Sequence, residues 1–305
     1  MAFTAQDVKT LREMTNCGMM DCKKALTETD GDMDKAVEFL REKGIATAVK
    51  KAGRIASEGL VEASLFGNVG VVVEINTETD FVAKNADFRA FVHDVAKCIA
   101  DNAPADVEAL KATPLYDGQT VGEALTEKIA TIGENMNLRR FERYEGINTA
   151  YVHGGGKIGV LVNFELGDAA KADDDAFKNA AHDVALQVAA AFPKYVKESE
   201  VPAEEVENEK RVLTAQALEE GKPEAIVEKM VIGRIKKFYK DICLNDQAFV
   251  KDPDMDVKKF LDGVAKELGT TIEIVKFARF EKGEGLEKKT DDFAAEVAAM
   301  AGGNN

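Results

Sequence analysis

The side chains best suited to chemistry sit in a few short stretches, and most are spaced wrongly for it. His153-Gly154-Gly155-Gly156-Lys157 has the composition of a phosphate loop. Such a loop works only between a strand and a helix, where backbone N–H groups and the helix N-terminus converge on the anion. Here a β-rich run follows, so a turn between strands is expected. His93-Asp94 and His182-Asp183 set a base beside an acid, but neighbours on a helix point about 100° apart and do not pair. No Gly-x-Ser-x-Gly elbow supplies a nucleophile. Asp173-Asp174-Asp175 lacks the glycine and spaced ligands of a calcium loop and suits a helix start, where acids meet the dipole. Cys17, Cys22, Cys98 and Cys243 form neither a Cys-x-x-Cys pair nor a zinc pattern with the three histidines, which points to free thiols in a reducing cytosol. The expectation is a protein without metal, cofactor or bond-making catalysis.

One stretch remains, Glu74-Ile75-Asn76-Thr77-Glu78-Thr79-Asp80-Phe81-Val82-Ala83-Lys84. It lies where a strand gives way to a helix. Thr79 or Asp80 can cap the helix start, and Phe81 falls in its first turn. Read alone, the segment allows two meanings. Either Asp80 only caps and Phe81 only packs, or the segment acts on something outside the fold.

The elements around it are legible from periodicity. Val8, Leu11 and Met14 recur at helical spacing; a second short helix spans about 20–27 with Cys22, Ala25 and Leu26 on one face. After the Asp30-Gly31-Asp32 turn, Met33, Ala36, Val37 and Leu40 fill the i, i+3, i+4, i+7 template, with Gly44 as the expected stop and Lys50–Gly53 as a basic linker. Three such helices make a ubiquitin-associated-like bundle. Strands follow at 60–66 and 70–75 about a Gly67-Asn68 turn, then a helix over 87–100 with Phe88, Phe91, Val92 and Val95 inward.

An internal repeat organises the rest. Phe66–Val73 resembles Gly155–Val162, and His93-Asp94-Val95-Ala96 recurs as His182-Asp183-Val184-Ala185, both at an offset of 89. Arg140-Phe141-Glu142 recurs as Arg279-Phe280-Glu281 at 139, so the second copy carries 50 extra residues, the difference of the two offsets. These fall between about Val201 and Cys243. There, Val206, Leu213 and Ala217, then Val227, Met230, Phe238 and Ile242, flank Gly221-Lys222-Pro223 as two antiparallel helices would. At offset 89 the second copy reads Asp168-Ala169-Ala170-Lys171 where the first has Thr79 to Val82. The architecture therefore does not require the bulk of Phe81, which shifts the reading towards a role outside the fold.

The fold class is thus α+β: an N-terminal three-helix bundle, a duplicated α+β core with antiparallel sheets, an inserted helical-hairpin arm and a C-terminal helix. The expected divisions are 1–53 for the bundle, 54–146 for the first half, 147–200 with 245–285 for the second, 201–244 for the arm and 286–305 for the terminal module. With 305 residues and 45% hydrophobic content, the chain can bury real cores, and without Trp these should be mostly aliphatic. A net charge of −15 repels phosphate backbones and argues against direct nucleic-acid binding. No secretory signal and no bilayer-spanning run is read from the chain.

These residues resemble a known family. Thr79-Asp80-Phe81-Val82 within Glu74–Lys84, the run Leu11–Leu26, Gly221-Lys222-Pro223, Glu228-Lys229-Met230 and Asp292–Met300 are similar, in order, to signatures of bacterial elongation factor Ts. Asn16 stands where that family usually has Gly, and Thr77 where Cys or Ser is common. The resemblance implies a cytoplasmic guanine-nucleotide exchange factor for elongation factor Tu. In that reading Thr79, Asp80, Phe81 and Val82 dislodge Mg²⁺ from the partner GTPase, and Leu11, Arg12, Met19, Met20, Phe293 and Met300 contact it. No membrane is involved, and the arm offers a surface for a second copy and a 2:2 complex. The competing readings are a ubiquitin-associated-type adaptor and a hydrolase or transferase using the glycine-rich turn.

Overall fold

A computed structural model describes residues 3–15, 17–221 and 223–288. Asn16, Lys222, Phe293, Met300 and the expected C-terminal helix lie outside the described residues. Three helices open the chain: α1 (Ala5–Thr15), α2 (Met19–Glu28) and α3 (Met33–Lys51). Val8, Leu11, Cys22, Ala25, Leu26, Ala36 and Leu40 form their shared core. Asp32 caps α3 by accepting from the Lys35 N–H at 3.1 Å. The expected stop at Gly44 does not occur. Gly44 is buried against α7 (Val121–Ile132), and α3 runs on so that Lys50 and Lys51 form its last turn. Positive charge there suits the helix C-terminal dipole, so the basic stretch is helix rather than linker.

The first half of the core contains β1 (Glu58–Phe66), β2 (Val69–Thr77), α4 (Asp80–Lys84), α5 (Ala86–Asn102), α6 (Val107–Ala112), the short pair β3 (Pro114–Tyr116) and β4 (Gln119–Thr120), α7, and β5 (Met136–Glu145). The second contains β6 (Ile147–His153), β7 (Ile158–Leu166), a 3₁₀ turn at Ala169–Asp173 and α8 (Asp175–Ala191). The arm, α9 (Ala203–Glu219) and α10 (Glu224–Ile242), intervenes before β8 (Ala248–Phe249), β9 (Asp252–Asp256), α11 (Val257–Leu268) and β10 (Ile272–Glu281). Each half forms an antiparallel three-stranded sheet, ordered β1-β2-β5 and β6-β7-β10.

The copies superpose in register. Up to the helix α5 or α8, every element of the second copy starts 89 residues after its counterpart, as 58 to 147, 69 to 158 and 86 to 175 show. After the arm the offset is 136, as 121 to 257 and 136 to 272 show, not the 139 read from Arg-Phe-Glu. Strand pairing gives the reason. Val73 faces Phe141, and its counterpart Val162 faces Phe277, not Phe280. An odd slip of three residues would turn every side chain to the opposite face. Phe141 and Phe277 indeed pack under helices, whereas Phe280 packs between the sheets.

Four layers result. Helices α5 and α7 cover the outer face of the first sheet, and α8 and α11 that of the second. The inner faces meet through Val61, Val72, Tyr144, Leu161, Ala278 and Phe280. Gly70 and Gly159, equivalent in the repeat, permit this approach. A Cβ on Gly159 would lie 2.4 Å from Val61 Cγ1, and one on Gly70 2.4 Å from Leu161 Cδ1. The glycine run at 154–156 is the β6–β7 turn, all three residues at positive φ. No helix among the described residues is long and apolar enough to cross a membrane.

Candidate functional site

Strand β2 leaves the core at Thr77 and turns sharply into α4. Thr79 is extended and occupies the N-cap position, yet its side chain makes no cap hydrogen bond. Asp80 does not cap either; it is the first helical residue. The helix is short because Asn85, again extended, ends α4 and caps α5, accepting from the N–H groups of Asp87 at 2.8 Å and Phe88 at 3.2 Å. One helical turn is thereby fixed between a strand and a long buried helix.

The turn sorts its residues sharply. Val82 and Ala83 are buried, Val82 in the core under α5. Phe81 points outward and is 79% exposed. The Lys84 ammonium bonds the Asp80 carboxylate at 2.6 Å and lies 5.8 Å from the Phe81 ring centroid. The hydrogen bond from Lys84 is the main cause holding the Asp80 carboxyl below its ordinary value. Thr79 to Val82 is thus one anchor, one exposed aromatic and one charge pair rather than four equivalent contacts.

Beneath the turn lies a set of polar ties that no local spacing announces. The Thr77 hydroxyl donates to the Thr79 carbonyl at 2.9 Å. Glu134, in the loop between α7 and β5, accepts from the Thr79 N–H at 3.0 Å and its hydroxyl at 2.7 Å. The Asn135 N–H donates to Glu78 at 2.6 Å, and Arg54 approaches the same carboxylate at 3.5 Å. Glu134 and Thr79 are 55 residues apart, so only strand pairing brings them together. The pairing of β2 with β5 joins Thr77 to Met136 and so delivers both loops to one end of the sheet.

The other stretches that suggested chemistry are not assembled for it. His93 bonds Glu62 at 3.1 Å, while Asp94 accepts from Tyr116 at 2.7 Å. Asp183 pairs with Lys251 at 2.6 Å. Asp174 caps α8. In the N-terminal bundle, Arg12, Met19 and Met20 are exposed, Met20 most fully, but Leu11 is wholly buried. Leu11 is a core residue of the bundle, and its side chain is not offered to a partner.

Where the second copy has Ala169-Ala170, a 3₁₀ turn forms without any buried side chain. The link from strand to long helix is completed there with no large apolar residue. Phe81 therefore contributes exposed apolar surface that its own fold leaves unused.

Residues 78–284 match the model of the family described as Elongation factor TS. An Elongation factor Ts of Clostridium perfringens (strain SM101 / Type A) is 53% identical over 305 residues, covering 98% of this chain and 99% of that protein. That of Syntrophotalea carbinolica is 50% identical over 98% of this chain and 99% of its own length. That of Magnetococcus marinus is 51% identical over 99% of this chain and 100% of its own.

Proposed function

The chain belongs to the elongation factor Ts family, and from that membership we propose that it is the guanine-nucleotide exchange factor of elongation factor Tu. Its role is in translation elongation. It works in the cytoplasm by docking, without making or breaking bonds. The observation that carries the reading is Phe81, 79% exposed on a one-turn helix that buried Val82 and the Glu134 bonds to Thr79 hold in place.

The mechanism is a coupling free energy. A factor that binds the nucleotide-free GTPase more tightly than the GDP-bound form must, by reciprocity, weaken GDP by the same factor. Burying the Phe81 ring in the partner supplies about 1.5–3 kcal/mol, or about one to two decades in an equilibrium constant. A ring held rigid before docking keeps most of that gain, because little ordering remains to be done. Phe81 acts as a wedge between partner helices near the Mg²⁺ site. Asp80, bonded to Lys84, serves first to stiffen the turn and keep the ring presented. A wedge of this size does not expel a tightly held nucleotide alone. The exposed residues of the bundle, Arg12, Met19 and Met20, widen the interface. Val212, Leu218, Ile226 and Ile232, exposed on the arm, offer a surface for a second copy.

Phe81→Ala tests the proposal. GDP release from the partner, followed by stopped flow, should slow by about one to two decades. Thermal stability should stay within about 0.5 kcal/mol, as for other exposed positions. Release at the parent rate would overturn the wedge.

A further inference from the structure

We propose that Glu134 is the positioning residue of the exchange tip, fixing Thr79 so that Phe81 is presented in one orientation; this rests on the wedge reading above. Three observations support it.

The first is the geometry. Both carboxylate oxygens of Glu134 are used on one residue, Oε2 on the Thr79 N–H at 3.0 Å and Oε1 on its hydroxyl at 2.7 Å. Bonds to an ionised acceptor are shorter and stronger than neutral ones, and a two-point contact fixes direction as well as distance. Thr79 is two residues from Phe81.

The second is a broken local rule. A threonine at an N-cap normally turns its hydroxyl to the helix N–H groups. Here that cap bond is not made, and the hydroxyl points the other way, to Glu134. Local preference yields to a tertiary contact, as it does where a site must be held in place.

The third is the internal control. By the repeat, Asp168 stands for Thr79 and Thr270 for Glu134, at the offsets of 89 and 136 established by the elements. The junction is kept there, but through neutral bonds: the Asp168 N–H donates to the Thr270 hydroxyl at 2.8 Å. Asp168 also caps its own turn, accepting from the Ala170 N–H at 3.0 Å. The half that presents no aromatic ring closes the loop with that hydroxyl and a backbone bond, the Gly167 N–H to the Thr271 carbonyl at 3.1 Å, and keeps its cap. The half that presents Phe81 uses a charged, two-point tether instead.

The tether has a firm base. Lys51, at the end of α3, bonds the Gly133 carbonyl, and the Asn135 side chain donates to the Arg54 carbonyl at 2.7 Å. The residues on either side of Glu134 are therefore tied to the end of the N-terminal bundle. The tip and the bundle, both offered to the partner, share one anchor.

The test uses the full chain and a GDP-loaded partner GTPase carrying a fluorescent nucleotide, with release rate measured against chain concentration. Glu134→Ala should lower the limiting rate on the order of tenfold while changing the half-saturating concentration less than about twofold, the split expected for a group that shapes the transition rather than the encounter. Glu134→Gln, which keeps an acceptor for the Thr79 N–H, should restore most of the rate. In a Phe81→Ala background, Glu134→Ala should add less than about a further twofold, because both changes act through the same ring. The same tenfold loss in both backgrounds, or no loss in either, would overturn the positioning role while leaving the wedge intact. If Phe81→Ala alone releases GDP at the parent rate, the wedge fails, and the positioning role with it. Should Glu134→Ala not fold, Thr79→Val carries the test: it removes only the hydroxyl donor, and a parent-like limiting rate from it would refute the tether.

Discussion

Glu74 in the first half of the core and Asn163 in the second occupy one position of the duplicated fold, and they are used in opposite ways. Glu74 is fully buried and ionised. It receives Arg139 at 3.0 Å, Arg140 at 2.6 Å, the Asn76 amide at 3.0 Å and the Gly283 N–H at 2.8 Å. Two consecutive arginines reach one carboxylate because β5 carries a bulge opposite Glu74 and Ile75, which breaks the usual alternation of faces. Asn163 is a neutral amide that donates to the Glu145 carbonyl at 3.0 Å, the Ile147 carbonyl at 3.2 Å and the Asn148 side chain at 2.9 Å. Its half has an equivalent bulge between Ile274 and Lys276, but no paired arginines. One half thus buries a charge to bind residues 283–284 onto the strand that ends in the exposed tip. The other braces only the junction between the halves. Elements shared by the copies carry the fold, while Glu74 with its two arginines and the Glu134 contact to Thr79 are particular to the first half.

The sharpest way to break the comparison is to neutralise the charge. Glu74→Gln leaves Arg139 without a counter-ion and Arg140 with only the exposed Glu284 at 3.4 Å, and a buried pair broken from one side costs about 3–5 kcal/mol. Urea denaturation should show a loss of that order; a value near zero would mean that the arginines find other partners. The same carboxylate sets an acid limit. Burial by itself would raise its pKa, but the Gly283 N–H, the Asn76 amide and Arg140 outweigh that and hold it below the ordinary 4.5. A depressed carboxylate contributes stability that is complete above its unfolded value and is lost as pH falls through the folded one. The parent should therefore lose stability below about pH 4.5, and the slope there should be shallower in Glu74→Gln.

A smaller effect separates the two glycines of the sheet interface. Gly159→Ala drives a methyl into Val61, a stiff β-branched side chain, and overpacking of this kind costs about 1–3 kcal/mol. Gly70→Ala meets the terminal Cδ1 of Leu161, with the Asn148 Cβ at 3.1 Å; because the closest contact is the end of a side chain unbranched at Cβ, it should cost less. Equal losses in calorimetry would show that the two sheets do not differ in how tightly they fit. The smallest effect is expected from Ala170→Phe, which places the ring on the other copy. Stability should stay within about 0.5 kcal/mol, and GDP release from the partner should not accelerate. Acceleration would mean that any exposed aromatic on this core suffices, and that the tether under Thr79 is irrelevant.

Much of this is legible in the sequence. Helical spacing found the three N-terminal helices and the arm, and the Gly67-Asn68 turn found the first hairpin. The repeat at 89 was in register to the residue through α8, and it isolated Phe81 by showing Ala170 in its place. These are local properties: periodicity and turn chemistry act over a few residues, and duplication copies them together. A short match or a single residue is a weaker guide. Arg-Phe-Glu recurs at 139 because a basic–aromatic pair repeats every three residues in both strands, as Arg140-Phe141 and Arg143-Tyr144, then Lys276-Phe277 and Arg279-Phe280, and only hydrogen-bonded pairing selects 136. Gly44 looked like a stop, but packing of α3 on α7 outweighs the propensity of one glycine. Leu11 looked like a contact and is core.

What the sequence alone determined is the set of elements, their duplication and the oddity of an aromatic ring at Phe81. Only the tertiary structure decided that the ring points outward, that Val82 beside it is buried, that Glu134 bonds Thr79 and that Glu74 bonds Gly283. The reason is physical. Those ties join residues 55 and 209 positions apart, and no local spacing encodes them until β2 pairs with β5 and residues 283–284 meet Glu74 and Arg139.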